Sequence, residues 1–261
     1  MTTSTSDPTA LFEMWERQQE LYIPQREDRY RLMTDLIGVR NADSIRPLRL
    51  LDLACGPGSA GRRLRAAFPE ATIVAVDFDP VLLALGAAAW PAGSAQPRWV
   101  DADLREERWA ELVEAEGPFD AVVSTTALHW LRPAELARVL ARAFGLLRPG
   151  GMLLNGDYVP DQPSTGLTDA LLDDLERVRS ERARQAGALE WDAWWSAVEE
   201  AGGYGAELEE RRCRLAHSER AAEPGLADHL AALRQAGFVE TGVVWRDLQE
   251  VLLVGTRPDG R

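Results

Sequence analysis

The sequence predicts a doubly wound α/β fold, in which helices cover both faces of a mostly parallel sheet. Short apolar runs alternate with segments of helical periodicity from about residue 48 to residue 157. A glycine-rich turn follows the first run, and only a few residues join the last two runs. Repeated βα units produce parallel strands, whereas a tight connection produces an antiparallel pair. The sheet should therefore end in a hairpin.

Apolar runs predict the strands, at 48–53, 72–76, 98–100, 119–124, 152–154, 238–245 and 251–256. Helical periodicity is clearest at 59–68, 80–89 and 133–147. The segment from Leu11 to Ile37 also has helical spacing, and its interruption at Pro24 predicts two helices.

The composition is that of a folded domain with an acidic surface. Of the 261 residues, 46% are hydrophobic and 27% are charged, which supports one large domain with a sizeable core. The 29 basic and 42 acidic residues give a net charge of −13, so nucleic acids and anionic membranes are disfavoured as partners. Lysine is absent, which excludes a Schiff-base lysine and a P-loop lysine.

Cysteine content and apolar segments give further expectations. Cys55 and Cys213 are the only cysteines, too few for a disulfide framework or a cysteine metal cluster. The N-terminal residues lack the apolar run of a signal peptide, and no apolar segment is long enough to span a bilayer. We therefore expect a cytoplasmic protein without a metal site, and the sequence does not distinguish a monomer from a homodimer.

The segment from Leu50 to Ser59 is the most informative part of the chain. An apolar strand leads into Gly56-Pro57-Gly58, a turn that glycine makes without steric penalty, and the N–H groups of the following helix can meet a ligand. The pattern fits the dinucleotide fingerprint G-x-G-x-x-G, with Asp77 as the ribose-binding acid. Asp52 argues against that interpretation. A carboxylate beside the turn would repel a pyrophosphate, whereas it suits a ligand that carries an ammonium and a sulfonium.

This strand and turn resemble the first motif of the class I S-adenosylmethionine (SAM)-dependent methyltransferases. Segments that resemble the family's later motifs follow in order, at 73–78, 101–104, 119–131 and 146–151. The resemblance covers roughly residues 46–157 and returns in the terminal hairpin. It implies a Rossmann-like seven-stranded methyltransferase sheet with one antiparallel strand. It also implies SAM as the cofactor and S-adenosylhomocysteine (SAH) as the product.

The resemblance further implies a cofactor site at the carboxyl ends of the strands. Asp77 would bind both ribose hydroxyls, Phe78 would pack against the adenine, and Asp103 would accept from the adenine amino group. Asp101 is the alternative to Asp103, and these acids could instead cap a turn or a helix. Ala54 replaces the family's commoner glycine and should narrow the space near the methionine end. The complete set of implied cofactor residues is Asp52, Ala54, Gly56, Gly58, Asp77, Phe78, Asp103, Leu104 and Ser124.

His129 is the only histidine within these motifs, and it follows the fourth predicted strand. It should lie at the edge of the sheet where a methyl acceptor must be placed. A neutral imidazole there could take the acceptor's proton, which makes His129 the candidate catalytic residue. The alternative is that His129 packs beside the cofactor or forms a structural hydrogen bond.

Aromatic residues outside the core motifs are the candidates for acceptor binding. Trp191, Trp194, Trp195 and Val198 form one apolar stripe at helical spacing. Such a stripe is either the buried face of a helix or the floor of an apolar pocket. The candidate acceptor residues are Tyr22, Trp130, Tyr158, Trp191 and Trp195.

The sequence thus predicts methyl transfer from SAM to a small-molecule acceptor by in-line displacement, most similar to the group that includes trans-aconitate methyltransferases. Helices covering the active site are expected at 1–40, a SAM-binding core at 41–157, a helical cap at 158–225, and a final helix with the terminal hairpin at 226–261. An NAD-dependent oxidoreductase and a non-catalytic SAM-binding partner subunit are the alternatives. Whether O, N, S or C is methylated stays open.

Overall fold

The computed structural model describes residues 7–23, 25–159, 166–216 and 224–260. The strands are β1 Arg49–Leu53, β2 Thr72–Asp77, β3 Arg98–Asp101, β4 Phe119–Thr125, β5 Leu147–Tyr158, β6 Val239–Asp247 and β7 Glu250–Thr256. They form one seven-stranded sheet in the order β3-β2-β1-β4-β5-β7-β6. The predicted break at Pro24 falls on a residue outside the described ranges.

The helices are α1 Pro8–Tyr22, α2 Arg26–Arg40, α3 Ser59–Ala67, α4 Pro80–Ala88, α5 Arg108–Val113, α6 Pro133–Leu146, α7 Gly166–Gln185, α8 Trp191–Ala201, α9 Gly205–Leu215 and α10 Leu226–Ala236. Short 3₁₀ turns occur at Glu114–Glu116 and Leu128–Trp130. Within the described residues, no helix combines the length and the apolar character that crossing a membrane requires.

The direction of the strands confirms the predicted fold class. Strands β1 to β5 pair in parallel with their neighbours, while β7 is antiparallel to both β5 and β6. In the terminal hairpin, β7 therefore lies next to β5 and β6 forms the edge of the sheet. Six strands run in one direction and β7 runs in the other, as the resemblance implied.

Strand β5 is longer than its apolar run predicted. It extends to Tyr158, because the residues from Met152 to Tyr158 pair with β7 in an unbroken register. Its last part contains Asn155 and Asp157, both buried. These polar residues end the apolar pattern, although the backbone ladder continues through them. The sequence rule missed the end of this strand because it relied on hydrophobicity.

The sheet is covered by apolar side chains on both faces. One cluster packs α5, α6 and α10 against the sheet and includes the buried Trp109 and Phe119. A second cluster packs α2 and α3 against the opposite face and includes Met33 and Ile37. This two-sided burial explains why β1, β2 and β4 are apolar along nearly their whole length.

Helices α8 and α9 are fixed to the rest of the molecule by polar contacts as well as packing. The indole N–H of Trp194 in α8 donates to the carbonyl oxygen of Leu11 in α1 at 3.1 Å. In α9, Arg211 binds Asp79 at 2.7 Å and Arg214 binds both carboxylate oxygens of Asp101. Helix α9 therefore lies near the carboxyl ends of β2 and β3, and α8 lies against α1.

Candidate active site

A cleft of about 840 Å³ opens at the carboxyl edge of the sheet. This volume is near the upper end of the roughly 300–1,000 Å³ range of small-molecule sites. The turns after β1, β2, β3 and β4 form its floor, and residues of α1, α2, α8, α9 and β7 complete the walls. Ligands of open α/β sheets bind at this edge, where the strand order reverses between β1 and β4.

The turn after β1 has a backbone conformation that favours glycine. Gly56 and Gly58 have φ values of +54° and +86°, and Gly58 is the N-cap of α3. A Cβ on Gly58 would lie 2.7 Å from a ring carbon of Trp99, so this position tolerates only glycine. Ala54 also has a positive φ, +52°. The backbone of Ala54 is therefore in the left-handed region, which the glycine implied by the resemblance would adopt without strain.

Asp77 links the turn after β1 to the end of β2. Its Oδ2 accepts the N–H of Gly56 at 2.7 Å, and its Oδ1 accepts the N–H of Asp79 at 2.8 Å. Burial raises the pKa of Asp77 to about 6, although these amides lower it. The carboxylate lines the cleft and retains acceptor lone pairs for a ligand hydroxyl.

Asp52 lies buried behind the same turn and does not line the cleft. Among the described residues, no hydrogen bond of normal length and angle reaches either carboxylate oxygen. Burial and the nearby charge of Asp77 raise the pKa of Asp52 to about 8, although the backbone N–H of Gly61 lowers it. An orphaned buried carboxyl group is costly, and a cation bound in front of the turn would offset that cost.

The turn after β3 places Asp103 and Leu104 in the cleft, and the turn after β2 places Phe78 there. Arg105 binds both carboxylate oxygens of Asp103 at 2.6–2.9 Å. Asp101, the alternative to Asp103, is bound by Arg214 and does not line the cleft. Asp103 therefore lies in the cleft, and Asp101 does not.

Besides Asp52, three candidate residues do not line the cleft, namely Gly58, Ser124 and Trp195. Gly58 shapes the turn through its positive φ, and the other two have partners elsewhere. The hydroxyl of Ser124 donates to the carbonyl oxygen of Leu53 at 2.9 Å and thereby joins β4 to β1. The ring of Trp195 lies 3.7 Å from the guanidinium carbon of Arg211, which covers it. Both side chains have structural partners in place of a ligand.

His129 lies in the 3₁₀ turn after β4 and is held by Asp157 of β5. The ring Nδ1 is 2.6 Å from Asp157 Oδ1, and the backbone N–H of His129 donates to Asp157 Oδ2 at 3.1 Å. Burial alone would raise the pKa of Asp157, but the charge of His129 and its hydrogen bond hold that pKa below its ordinary value. An ionised carboxylate only accepts hydrogen bonds, so Nδ1 carries the proton and Nε2 is the basic nitrogen of the neutral ring.

The remaining candidate acceptor residues form two groups of rings around the same cleft. Trp130 and Tyr158 flank His129, with ring centroids 4.8 and 6.3 Å from the imidazole. Tyr22 and Trp191 are joined, because the backbone N–H of Trp191 donates to the Tyr22 hydroxyl at 3.1 Å. All four side chains line the cleft. Trp194, from the same stripe as Trp191, is fully buried in the core.

The comparisons with known proteins identify the family. A family model described as "Methyltransferase domain" matches residues 50–151. The trans-aconitate 2-methyltransferase of Methylobacterium nodulans is 30% identical over 194 residues, which are 70% of this chain and 68% of that protein. The chain belongs to the class I SAM-dependent methyltransferases.

Other methyltransferases match at similar levels. The trans-aconitate 2-methyltransferase of Klebsiella pneumoniae is 30% identical over 68% of this chain and 64% of that protein. The chain spans from about a third to about two thirds of the length of the curated relatives it matches. The structure of magnesium protoporphyrin IX methyltransferase from Synechocystis with bound SAH shares the fold, with a TM-score of 0.52, 18% identity, and coverage of 93% of this chain and 94% of that one. None of these matches favours a dinucleotide-dependent oxidoreductase.

The site of this methyltransferase contains polar residues that sequence analysis missed. Arg29 of α2 is buried, and it donates to Glu250 of β7 at 2.5 Å and to the Thr126 hydroxyl at 2.8 Å. Glu250 and Thr126 line the cleft. Burial raises the pKa of Glu250, although the charge of Arg29 lowers it. Thr126, Glu250 and Asp157 lie at or next to strand ends, which is the signal that could have identified them. Arg29 lies within α2, where no such signal marks it.

The methyltransferase's cleft fits SAM at the end nearest β1 and β2. The orphaned Asp52 favours a cation there, the glycine turn exposes backbone to the ligand, and Asp77 offers a carboxylate to ribose hydroxyls. Among the described residues, no group of three or more His, Cys, Asp or Glu side chains could hold a metal ion.

Proposed function

We propose that this protein transfers the methyl group of SAM to a small-molecule acceptor in the cleft at the carboxyl edge of the sheet. The observation that carries the proposal is the convergence on one cleft of the turn after β1, Asp77 and the His129–Asp157 pair. Relatives named as methyltransferases support the activity. The chain spans only part of their length, so the activity is assigned from this site.

The cofactor residues of the proposal are those at the strand ends. Asp77 would bind the ribose, Phe78 and Leu104 would contact the adenine, and Asp103 would accept from its amino group. The backbone at Ala54, Gly56 and Gly58 would border the methionine end, with Asp52 behind it. Ser124 would act indirectly, by holding β4 against β1 through its bond to Leu53.

When bound, SAM supplies a methyl group on a sulfonium, so that the acceptor nucleophile forms a bond to carbon as the carbon–sulfur bond breaks and its electron pair stays on the sulfur of SAH. The chain's contribution is to align the acceptor and to exclude water. His129 would accept the acceptor's proton at Nε2 if the nucleophile is a hydroxyl. The buried Asp157 would stabilise the resulting imidazolium.

A small-molecule acceptor fits the volume of the cleft and the acidic chain. Residues of α1, α8 and α9 wall the cleft, whose volume is about 840 Å³. The net charge of −13 disfavours nucleic acid. The cytoplasmic location and the monomeric or homodimeric state expected from the sequence are part of the same proposal.

Two measurements test the proposal in sequence. Calorimetric titration with SAM, SAH and NADH should show binding of the first two and none of the third. A panel of small molecules, including trans-aconitate, phenols, amines and thiols, should then contain a compound that releases SAH in the presence of SAM. Tight NADH binding without SAM binding would refute the assignment, and SAM binding without turnover of any compound would favour the non-catalytic partner subunit.

A further inference from the structure

Among the described residues, the charges that line the cleft are matched in pairs, apart from Asp77, which is assigned to the ribose. Arg211 binds Asp79, Arg105 binds Asp103, and Arg29 binds Glu250 from behind the wall. Arg26 donates to the backbone carbonyl oxygen of Glu16 at 3.1 Å and lies 3.4 Å from its carboxylate. Among the described residues, Arg26, Arg105 and Arg211 are the arginines that line the cleft. Each of them already has a carboxylate partner.

Matched charges disfavour an acceptor of either sign. A carboxylate on the acceptor would have to displace Asp79, Asp103 or Glu16 from its arginine, or enter beside these acids without a partner. A cationic acceptor would meet the mirror problem, because Arg211, Arg105 and Arg29 already neutralise Asp79, Asp103 and Glu250. The remaining acid, Asp77, is assigned to the ribose. A charged group that enters a cleft without a new partner loses hydration that nothing replaces. The matched cleft therefore selects an uncharged molecule.

The surface that remains is aromatic. Trp15, Tyr22, Trp130, Tyr158 and Trp191 all line the cleft. Trp130, Tyr22 and Trp191 are 57%, 47% and 39% exposed, which is unusual for such large side chains in one place. Trp15 and Trp191 have ring centroids 5.8 Å apart, so they form a continuous edge. Aromatic side chains bind other aromatic rings favourably, because ring pairs bury a large apolar area and pack in offset or edge-to-face geometry.

We infer that the acceptor is an uncharged aromatic molecule whose nucleophile is a hydroxyl group. Its ring contacts the aromatic residues of the cleft, and its hydroxyl lies beside His129. The oxygen forms the bond to the methyl carbon, the carbon–sulfur pair stays on SAH, and the hydroxyl proton passes to His129 and then to water. This inference rests on the proposed function and narrows it to one class of acceptor.

The test compares matched ligands on the protein loaded with SAH, so that binding is measured without turnover. The probes are 2-naphthol, its carboxylated counterpart 3-hydroxy-2-naphthoate, and trans-aconitate, a tricarboxylate. Calorimetry should show 2-naphthol binding at least 10-fold more tightly than 3-hydroxy-2-naphthoate, and no binding of the tricarboxylate. With SAM in place of SAH, 2-naphthol should yield its methyl ether. Equal or tighter binding of either carboxylated probe, or no binding of 2-naphthol, overturns the inference.

A pair of tryptophan variants locates the binding surface. Trp191→Ala should weaken 2-naphthol binding at least fivefold, and Trp245→Ala should change it less than twofold, because Trp245 lies on β6 and does not line the cleft. Both variants should keep their SAH affinity. An equal effect of the two substitutions overturns the inference. If the wild-type protein binds neither SAM nor SAH, the proposed function itself is refuted. The two failures are therefore distinguishable.

Discussion

Asp157 holds His129 at two points, with one carboxylate oxygen 2.6 Å from the ring Nδ1 and the other accepting the backbone N–H at 3.1 Å. The ring cannot turn without breaking the first bond, and the 3₁₀ turn cannot shift without breaking the second. Asp157 is fully buried, whereas His129 reaches the cleft. The pair therefore has the form of a base and the residue that orients it.

His129 and Asp157 should act as one unit in turnover. His129→Gln and Asp157→Asn should each lower kcat by at least about 100-fold, the lower bound of general-base assistance, while SAM affinity stays within twofold. The double variant should be no slower than His129→Gln alone, because the carboxylate acts only through the imidazole. The measurement is SAH release at saturating SAM and acceptor across pH.

The comparison variant for that prediction is His229→Gln. His229 is buried outside the cleft but interacts electrostatically with Asp157, so its substitution should lower kcat far less than His129→Gln does. If His129→Gln keeps almost full activity from pH 6 to pH 9, His129 is a packing or orienting residue. Such a result would point to an acceptor that is nucleophilic without losing a proton.

Asp77 should contribute to cofactor affinity. Asp77→Ala should weaken SAM binding by about 1.5–3 kcal/mol, the usual contribution of hydrogen bonds to a charged group, which is roughly 10- to 150-fold in Kd. Calorimetric titration with SAM measures this effect. Asp101→Asn is the matched control, because Asp101 also ends a strand but is bound by Arg214 outside the cleft. Equal affinities of the two folded variants would show that Asp77 does not bind the ribose.

Asp52 should make the ligand-free protein less stable as pH rises. Its pKa of about 8 in the folded protein lies above the ordinary value of 3.8. The contribution to stability is therefore full below about pH 4 and is lost as pH rises to about 8. Asp52→Asn mimics the protonated form, so its Tm should exceed that of the wild type by an amount that grows between pH 5 and pH 8. For domains of about 150–250 residues, each kcal/mol changes Tm by roughly 2–4 °C.

Thermal scans of both proteins without cofactor decide that prediction. A Tm difference that stays constant from pH 5 to pH 8 would exclude ionisation of Asp52 as the cause. Saturating SAM should reduce the difference at pH 8, because a bound cation favours the charged carboxylate.

Trp194 and Trp191 should separate stability from binding within one helix. Trp194 is fully buried and donates to Leu11, so Trp194→Ala should lower the free energy of unfolding by about 3–5 kcal/mol. Trp191 is 39% exposed, so Trp191→Ala should cost much less. Chemical denaturation measures both. Comparable losses would mean that Trp191 belongs to the core and not to the acceptor surface.

Much of the site was predictable because its signals are local. The glycine turn, Asp52 and Asp77 lie within or directly after apolar strands, and a parallel sheet brings such ends together. His129 follows the same rule. Its partner was not predictable, because Asp157 is 28 positions away and continues a strand whose apolar pattern had ended.

The acceptor side was harder to predict because periodicity identifies a stripe and not what covers it. Trp191, Trp194 and Trp195 share one helical face, yet Trp194 enters the core, Arg211 covers Trp195, and only Trp191 lines the cleft. Which of the three rings reaches the cleft depends on contacts with α1 and α9. The residue pattern of α8 alone contains no information about those contacts. The resemblance implied a role for Ser124 beside the cofactor, and only its hydrogen bond to Leu53 shows that its hydroxyl is already used.

Because β7 lies between β5 and β6, the sheet cannot be completed during synthesis until the terminal hairpin has left the ribosome. Arg29 and Glu250 are 221 positions apart. Until the hairpin emerges, Arg29 therefore lacks its carboxylate partner and the edge of β5 is unpaired. Open strand edges invite association with other chains. The cofactor half is synthesised early and the cleft wall at Glu250 late, so association with other chains is most favoured during the interval between them.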